Sequence, residues 1–301
     1  MVVLSVDLGS NTIRAIKLDC GSGEVVGEFE RIVRTAEGLA QSGVIAQKAI
    51  DRVIEAIKQM ESELGFDGCK IRAVTTEAMR RASNSAEVIE QIYKSTGIKF
   101  EIITGKEEAR LSLKAAAYGL SRAGVSSDGY VLIDIGGGST EISFYDRGEV
   151  ISRSFPIGIV TASEKLRDNE DIDLFMDDLM SEAESFVQMS YSKIDKPKLF
   201  LATAGTPTTI AALEHDLDYQ SYDSNIVNGT KLKRDRLRLW LDRLLKMSKE
   251  QREAKVGVGR ADLIITGVYI YDRLYQILGF DESIVIDDGL REGVAMELCG
   301  S

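Results

Sequence analysis

The chain is poor in several residues on which enzyme chemistry is often built. Its 301 residues include one histidine, one tryptophan, three prolines and three cysteines. A single histidine, His215, leaves metal-binding histidine clusters and a Ser-His-Asp triad without their parts, and reads as a surface or helix-end residue. Cys20, Cys69 and Cys299 are scattered, odd in number and outside any CxxC pair, so neither a disulfide framework nor a zinc site is expected. No run of about 18 apolar residues is present to span a bilayer. The opening MVVLSVDLGSNTIR lacks the basic start and cleavage site of a signal peptide, so a cytoplasmic protein is expected. Basic residues are outnumbered 37 to 48, a net charge of −11, which argues against non-specific nucleic-acid binding and requires a locally positive site for any anionic ligand.

What is present is a core and an alternating pattern. At 44% hydrophobic, a chain of this length suggests two domains of about 150 residues each. VVLSVDLGS, TIRAIKLD and EVVGEFERIV read as three strands. In IAQKAIDRVIEAIKQMESELG, Ile50, Val53, Ile54, Ile57, Met60 and Leu64 share one helical face and Gly65 supplies the stop. Strand KIRAVTT, a helix in AEVIEQIYKSTG, strand KFEII and helix KEEARLSLKAAAYGL complete an α/β unit. GVSSDG then breaks the pattern, placing a first domain at 1–123 and a second at 124–301, with a C-terminal helix at about 289–301 able to pack back on the first.

Beyond that break the chain repeats itself. VDLGSNTIRAIKLD at 6–19 aligns without a gap on IDIGGGSTEISFYD at 133–146, pairing Asp7 with Asp134, Gly9 with Gly136 and Asp19 with Asp146 at an offset of 127. A duplicated domain follows, with a cleft between the copies. Glycine turns expose backbone amides that favour phosphate, and Ser139, Thr140 and Thr206 add hydroxyl donors. In LFLATAGTPTTIAAL a third loop places Gly205 and Thr206 between strand and helix, with Thr208 or Thr209 as the helix cap. Asp7 and Asp134 would repel phosphate directly, so their useful role is to hold Mg²⁺ (or Mn²⁺) against it. Either motif alone reads equally well as a capped turn; the repeat favours the chemistry. Glu141 is a second carboxylate to place at the water or the metal, and its counterpart in the first copy is Arg14.

The set DLGSNT, TEAMRRASN, GKEEARL, DIGGGSTE, GTPTTIAAL, GRADLIITG and DDGLREGV, in this order from residue 7 to 294, resembles the exopolyphosphatase / guanosine pentaphosphate phosphohydrolase (Ppx/GppA) family. The resemblance implies an α/β fold of two ribonuclease-H-like domains in the actin-like ATPase (sugar kinase/Hsp70/actin) superfamily, with the active site in the interdomain cleft. It also implies a short, two-domain member, since the histidine- and aspartate-rich domain of long members has no counterpart here.

Matched motif by motif, the resemblance makes Glu108 the residue that activates water. Thr104 with Glu107 reads as a capping box that would occupy Glu107 and leave Glu108 about 100° further round the helix. Arg14 and Arg260 resemble positions that contact the polyanionic ligand; Ser10 and Asn11 in the first turn, and Gly136, Gly137, Gly138 and Ser139 in the glycine loop, are further candidates for binding phosphate. Arg80 matches the arginine of T-x-A-x-R-x-A-x-N and is expected to grip phosphate bidentately, with Arg81 as the alternative one register away. Asn84 reads equally as ligand contact and as helix N-cap boxed by Glu87. Lys231, Lys233, Arg234, Arg236 and Arg238 read first as a solvated helix face and second as a track for polyphosphate, and Leu237, Trp240, Leu241, Leu244 and Leu245 as a core stripe. Where relatives show His-Gly, this chain has Asn228-Gly229.

The expected activity is hydrolysis of a terminal phosphoanhydride of polyphosphate, or of the 5′ γ-phosphate of guanosine pentaphosphate. The expected partners are polyphosphate or guanosine penta- and tetraphosphate and a second copy in a homodimer, with no nucleic acid and no membrane. An ATP-dependent small-molecule kinase of the same superfamily and a non-catalytic sensor of guanosine polyphosphates are the alternatives.

Overall fold

The computed structural model describes residues 1–166 and 172–300. The chain forms two compact units, one of Met1–Ala115 with the C-terminal segment from Leu290, the other of Ala116–Gly289.

In the first unit, strands β1 (Val2–Leu8), β2 (Thr12–Asp19), β3 (Glu24–Ile32), β4 (Lys70–Thr75) and β5 (Phe100–Ile102) form one sheet in the order β3-β2-β1-β4-β5. The first three are antiparallel, while β4 and β5 run parallel to β1. Parallel neighbours need crossovers, and these are supplied by helices α1 (Leu39–Ser42), α2 (Gln47–Leu64), α3 (Glu77–Arg81) and α4 (Ser85–Thr96). Helix α2 buries Ile50, Val53, Ile57 and Met60 as its pattern predicts, and ends at Gly65, whose φ of 62° is open only to a residue without a side chain at low cost. Helix α5 (Gly105–Arg122) follows β5, and the division between the units falls within it.

The second unit repeats the plan. Strands β6 (Gly129–Ile135), β7 (Thr140–Asp146), β8 (Glu149–Phe155), β9 (Leu199–Thr203), β10 (Lys231–Lys233) and β11 (Glu282–Val285) take the order β10-β11-β9-β6-β7-β8. Reading β8-β7-β6-β9-β11 against β3-β2-β1-β4-β5 gives the same alternation of antiparallel and parallel pairs, with β10 as an added edge. Its helices are α6 (Ile159–Leu166), α7 (Ile172–Tyr191), α8 (Gly205–Glu214), α9 (Ser224–Val227), α10 (Arg234–Lys246), α11 (Lys249–Val256) and α12 (Ile264–Leu278). The core gathers β6, β7 and β9 with α7, α10 and α12 around Phe144, Phe200, Tyr271 and Tyr275. Trp240 belongs to this core with Leu237 and Leu244, while Leu245 is exposed.

The final helix, α13 (Leu290–Cys299), belongs to the first unit; Ser301, last of the expected 289–301 helix, lies outside the described residues. Its Ala295 and Leu298 pack on Val3 and Ile16, and Ser5, buried in mid-strand, donates its hydroxyl to Arg291 O at 2.6 Å. Contrary to the expectation from cysteine count and spacing, Cys20 and Cys299 are joined in a disulfide, with Cα atoms 5.3 Å apart across a separation of 279 residues. Spacing could not show this, because the pair exists only once α13 packs across the far end of β2. Cys69 is the free cysteine. Among the described residues, no helix is long and apolar enough to cross a membrane.

A cross-link that closes so long a loop should contribute roughly 2–5 kcal/mol. Reduction, or Cys299→Ser, is expected to lower the thermal midpoint of the first unit by roughly 5–15 °C. Thiol titration of the unreduced, denatured chain should find only Cys69. Three reactive thiols and an unmoved midpoint would contradict the pairing.

Candidate active site

In the first unit, β1 and β2 are joined by the turn Gly9–Asn11, closed by a hydrogen bond from Gly9 N to Thr12 O at 2.9 Å. The carbonyls of the turn are all taken by the protein itself. Thr35 Oγ1 donates to Gly9 O, Ala36 N to Ser10 O, and Val33 N and Arg34 N to Asn11 O. With its carbonyls tied back, the turn presents its amides. Asn11 is buried and its Oδ1 has no hydrogen-bond partner, a state that costs free energy unless a ligand or water satisfies it. Asp7 lies opposite Arg14 in the strand register, and Arg14 Nε reaches Glu30 on β3 at 3.1 Å.

The second unit builds the same hairpin 127 residues later. Gly136 N donates to Ser139 O at 2.9 Å, and Asp134 stands opposite Glu141. Ile159 N and Val160 N take the carbonyls of Gly136 and Gly137, so this turn too offers its amide side. Glu141 is 3% exposed, and its Oε1 accepts from Ser139 Oγ at 2.8 Å and Ser154 Oγ at 2.6 Å. The Ser139 hydroxyl, expected to face phosphate, is thus turned to Glu141, and that of Thr140 donates to Ile157 O. Ser154 was not singled out by sequence. Counting back from the paired Asp146 and Glu149 at the β7–β8 turn, five residues each way, reaches Glu141 and Ser154, so the hairpin arithmetic held the signal.

The third loop joins β9 to α8 through Ala204, whose φ of 73° is strained for a residue with a side chain. Neither Thr208 nor Thr209 caps the helix. Thr208 Oγ1 instead donates back to Ala204 O at 2.9 Å, so the first amides of α8 have no side-chain cap and favour an anion. Gly205 opens the helix; Thr206 is buried against Gly267, and its Oγ1 lacks a hydrogen-bond partner. Arg260 lies over the Tyr219 ring at 5.2 Å.

In the first unit, Thr104 Oγ1 accepts from Glu107 N at 3.2 Å, but the return half of the capping box does not form. Glu107 turns to Arg110, which donates to both its oxygens and, chiefly through those bonds, holds the Glu107 carboxyl below its usual pKa. Glu108 is 7% exposed and faces inward, where Arg80 Nη1 donates to its Oε2 at 2.8 Å. The forked edge of Arg80, expected to grip phosphate, lies on Glu77 Oε2 at 3.2 and 3.0 Å, and Nη1 also reaches Ile103 O. Burial works against the Arg80 charge, yet Glu108 and then Glu77 raise its pKa above the ordinary value. Arg81 is the more exposed neighbour, 4.0 Å from Glu77.

Several other residues fall outside these sites. Asn84 precedes α4 but makes no side-chain cap; its amide clamps Ile45 N and O at 2.9 and 3.0 Å. Arg234 and Arg238 both pair with Asp272, and Arg236 with Glu214, so the basic stretch is largely neutralised within its own unit. Asn228 bridges Gly119 O and Asp287 N, a structural tie. His215 caps the end of α8 and meets Thr230.

Mg²⁺ takes hard oxygen ligands and commonly keeps only one or two carboxylates, completing its shell with water and phosphate. Asp134 and Glu141, on adjacent strands of the second unit, fit that donor chemistry, and Asp7 is a carboxylate of the same kind in the first unit. Among the described residues, no group of three or more His, Cys, Asp or Glu could hold an ion unaided.

One residue invisible to motif reading guards the glycine loop. A Cβ at Gly158 would lie 2.3 Å from the peptide joining Gly137 and Gly138, closer than any real contact. Gly158→Ala is therefore expected to displace the loop and cut turnover at least about a hundredfold while the chain still folds; wild-type turnover would show that the loop's position is immaterial.

Residues 16–301 match the Ppx/GppA phosphatase family. Exopolyphosphatase 2 of Mycobacterium tuberculosis is 30% identical to this chain, covering 99% of it and 98% of that protein. A solved Ppx/GppA family member from Aquifex aeolicus is 29% identical, with a TM-score of 0.74 covering 100% of this chain and 98% of that one. An exopolyphosphatase from Cytophaga hutchinsonii, 21% identical, has a TM-score of 0.84 covering 100% of this chain and 98% of its own, a likeness of fold. The two units thus have the actin-like ATPase fold, and with its motifs set on the hairpins and helices described above, the chain belongs to the Ppx/GppA phosphatase family.

Proposed function

We propose that the chain hydrolyses the terminal phosphoanhydride of inorganic polyphosphate, with Glu108 aligning the attacking water. The observation that carries the reading is the buried Glu108 carboxylate at the start of α5, held by Arg80 while its neighbour Glu107 turns to Arg110. A carboxylate fixed by a buried charge pair is a base with a defined direction. The names of the relatives favour polyphosphate. Guanosine pentaphosphate, losing its 5′ γ-phosphate, is the second substrate we propose, because its terminal anhydride is chemically the same bond and the family name covers both.

In the proposed step a water oxygen attacks the terminal phosphorus, its proton passes to Glu108, and the bridging P–O bond breaks so that the shortened chain leaves with the electron pair. Amides of the Gly136–Ser139 turn and the first amides of α8 receive phosphate oxygens. Arg14 and Arg260 add positive charge for the polyanion. Mg²⁺ (or Mn²⁺), held by Asp134 and Glu141, would neutralise phosphate charge. Positioning and electrostatics supply the rate, since phosphoryl transfer asks little covalent chemistry of the protein.

Orthophosphate release should be measured side by side on long-chain polyphosphate, guanosine pentaphosphate and ATP. Release from the first or second is expected, lost on chelation and restored by Mg²⁺. Glu108→Gln is expected to reduce it by about 10²–10⁴-fold with binding of polyphosphate largely kept. Undiminished turnover in that variant would sink the assignment. Transfer from ATP to an acceptor would favour a kinase, and tight nucleotide binding without release a sensor.

A further inference from the structure

Behind Glu108 lies a second carboxylate, inside TEAMRRASN but at a position to which the motif gives no role. Glu77, the first residue of α3, is mostly buried and receives both Nε and Nη2 of Arg80 on one oxygen, at 3.2 and 3.0 Å. The other edge of the same guanidinium gives Nη1 to Glu108 Oε2 at 2.8 Å and to Ile103 O at 3.0 Å, just before the start of α5. Arginine carries five N–H donors in one rigid plane, and four of its contacts here are to its own protein. The ends of the chain Glu77–Arg80–Glu108 are both carboxylates, so Arg80 is held from both sides.

We propose that Glu77 is a positioning residue that keeps Arg80 on Glu108 and away from the substrate; the proposal rests on Glu108 being the residue that aligns water. The competition is one of charge. A polyphosphate chain attracts a guanidinium more strongly than a single carboxylate does, and an arginine anchored only at Glu108 would be drawn onto it. Glu77 fixes the fork in the plane where only Nη1 faces Glu108, so the Glu108 carboxylate keeps its direction when a polyanion arrives. Arg80 then serves the base, and phosphate binding falls to backbone amides and other cations.

Removing the anchor should therefore weaken the chemical step without weakening binding. Glu77→Gln is expected to lower kcat about tenfold while KM for polyphosphate stays level or falls, because the released Arg80 joins the substrate. Glu77→Asp, which keeps the charge, should retain an intermediate kcat and serves equally if the glutamine variant folds poorly. In a double-mutant cycle with Arg80→Lys, the pair should be no slower than Arg80→Lys alone by more than about twofold, since both changes break one device. A wild-type kcat in Glu77→Gln, a raised KM with unchanged kcat, or losses that multiply would each overturn the proposal. Glu108→Gln run alongside separates the two readings: if it stays active, the role of Glu108 is wrong; if it is inactive while Glu77→Gln matches wild type, only the anchoring role is.

Discussion

The structure depends on one arrangement made twice: an antiparallel strand pair closed by a glycine turn, with an aspartate at the end of the first strand facing a partner on the second. The same hydrogen bond, from Gly9 N to Thr12 O and from Gly136 N to Ser139 O, sets both turns. In an antiparallel ladder that closure fixes every later pairing, so Asp7 must meet Arg14 and Asp134 must meet Glu141. The segment after the third strand, 33–36 in one copy and 159–160 in the other, then ties back the turn carbonyls. What is left for a ligand is a row of amides beside a carboxylate, which suits phosphate with a divalent cation.

Divergence between the copies is electrostatic. Arg14 finds an ionic partner in Glu30, so the first hairpin carries alternating charges across three strands. At the matching position of the second hairpin stands Glu141, an acid that accepts from the hydroxyls of Ser139 and Ser154 beside the glycine loop. The repeat supplies the scaffold, and one register position, Arg14 in one copy and Glu141 in the other, carries opposite charge. A similar economy governs the buried ion chain at Glu108, where removing one member would strand the others in a poorly hydrated place, at a cost of roughly 3–5 kcal/mol. The exposed pairs of Lys94 with Glu90 and Arg153 with Glu182 contribute little by comparison.

Much of this was legible in the sequence because it is periodic or local. The repeat at an offset of 127, the apolar face of α2 and the stop at Gly65 follow from spacing and backbone rules alone. The expectation that Glu107 is occupied near the helix start while Glu108 turns inward follows from the capping-box spacing, but the occupant differs: Thr104 takes the Glu107 amide, and Arg110, not the helix end, takes its carboxylate. What sequence could not show is what one element does when another arrives. The Cys20–Cys299 bridge, the Asn84 clamp on Ile45 and the arginines of 234–238 spent on Asp272 and Glu214 all join residues whose separation carries no pattern, whereas Glu77 and Arg80 stand at the i, i+3 spacing of one helix. The hydroxyls follow the same rule: Ser139 donates to a carboxylate, and Thr140 and Thr208 to carbonyls, which leaves α8 without the Thr208 cap that its sequence suggests.

The central claim is that water, aligned by Glu108, attacks the terminal phosphorus itself. It is tested most directly by letting the enzyme act on polyphosphate in ¹⁸O-enriched water and reading the products by mass spectrometry before exchange. One ¹⁸O atom should appear in each orthophosphate released, and none in the shortened chain. Label in the chain, or orthophosphate formed without it, would contradict the account.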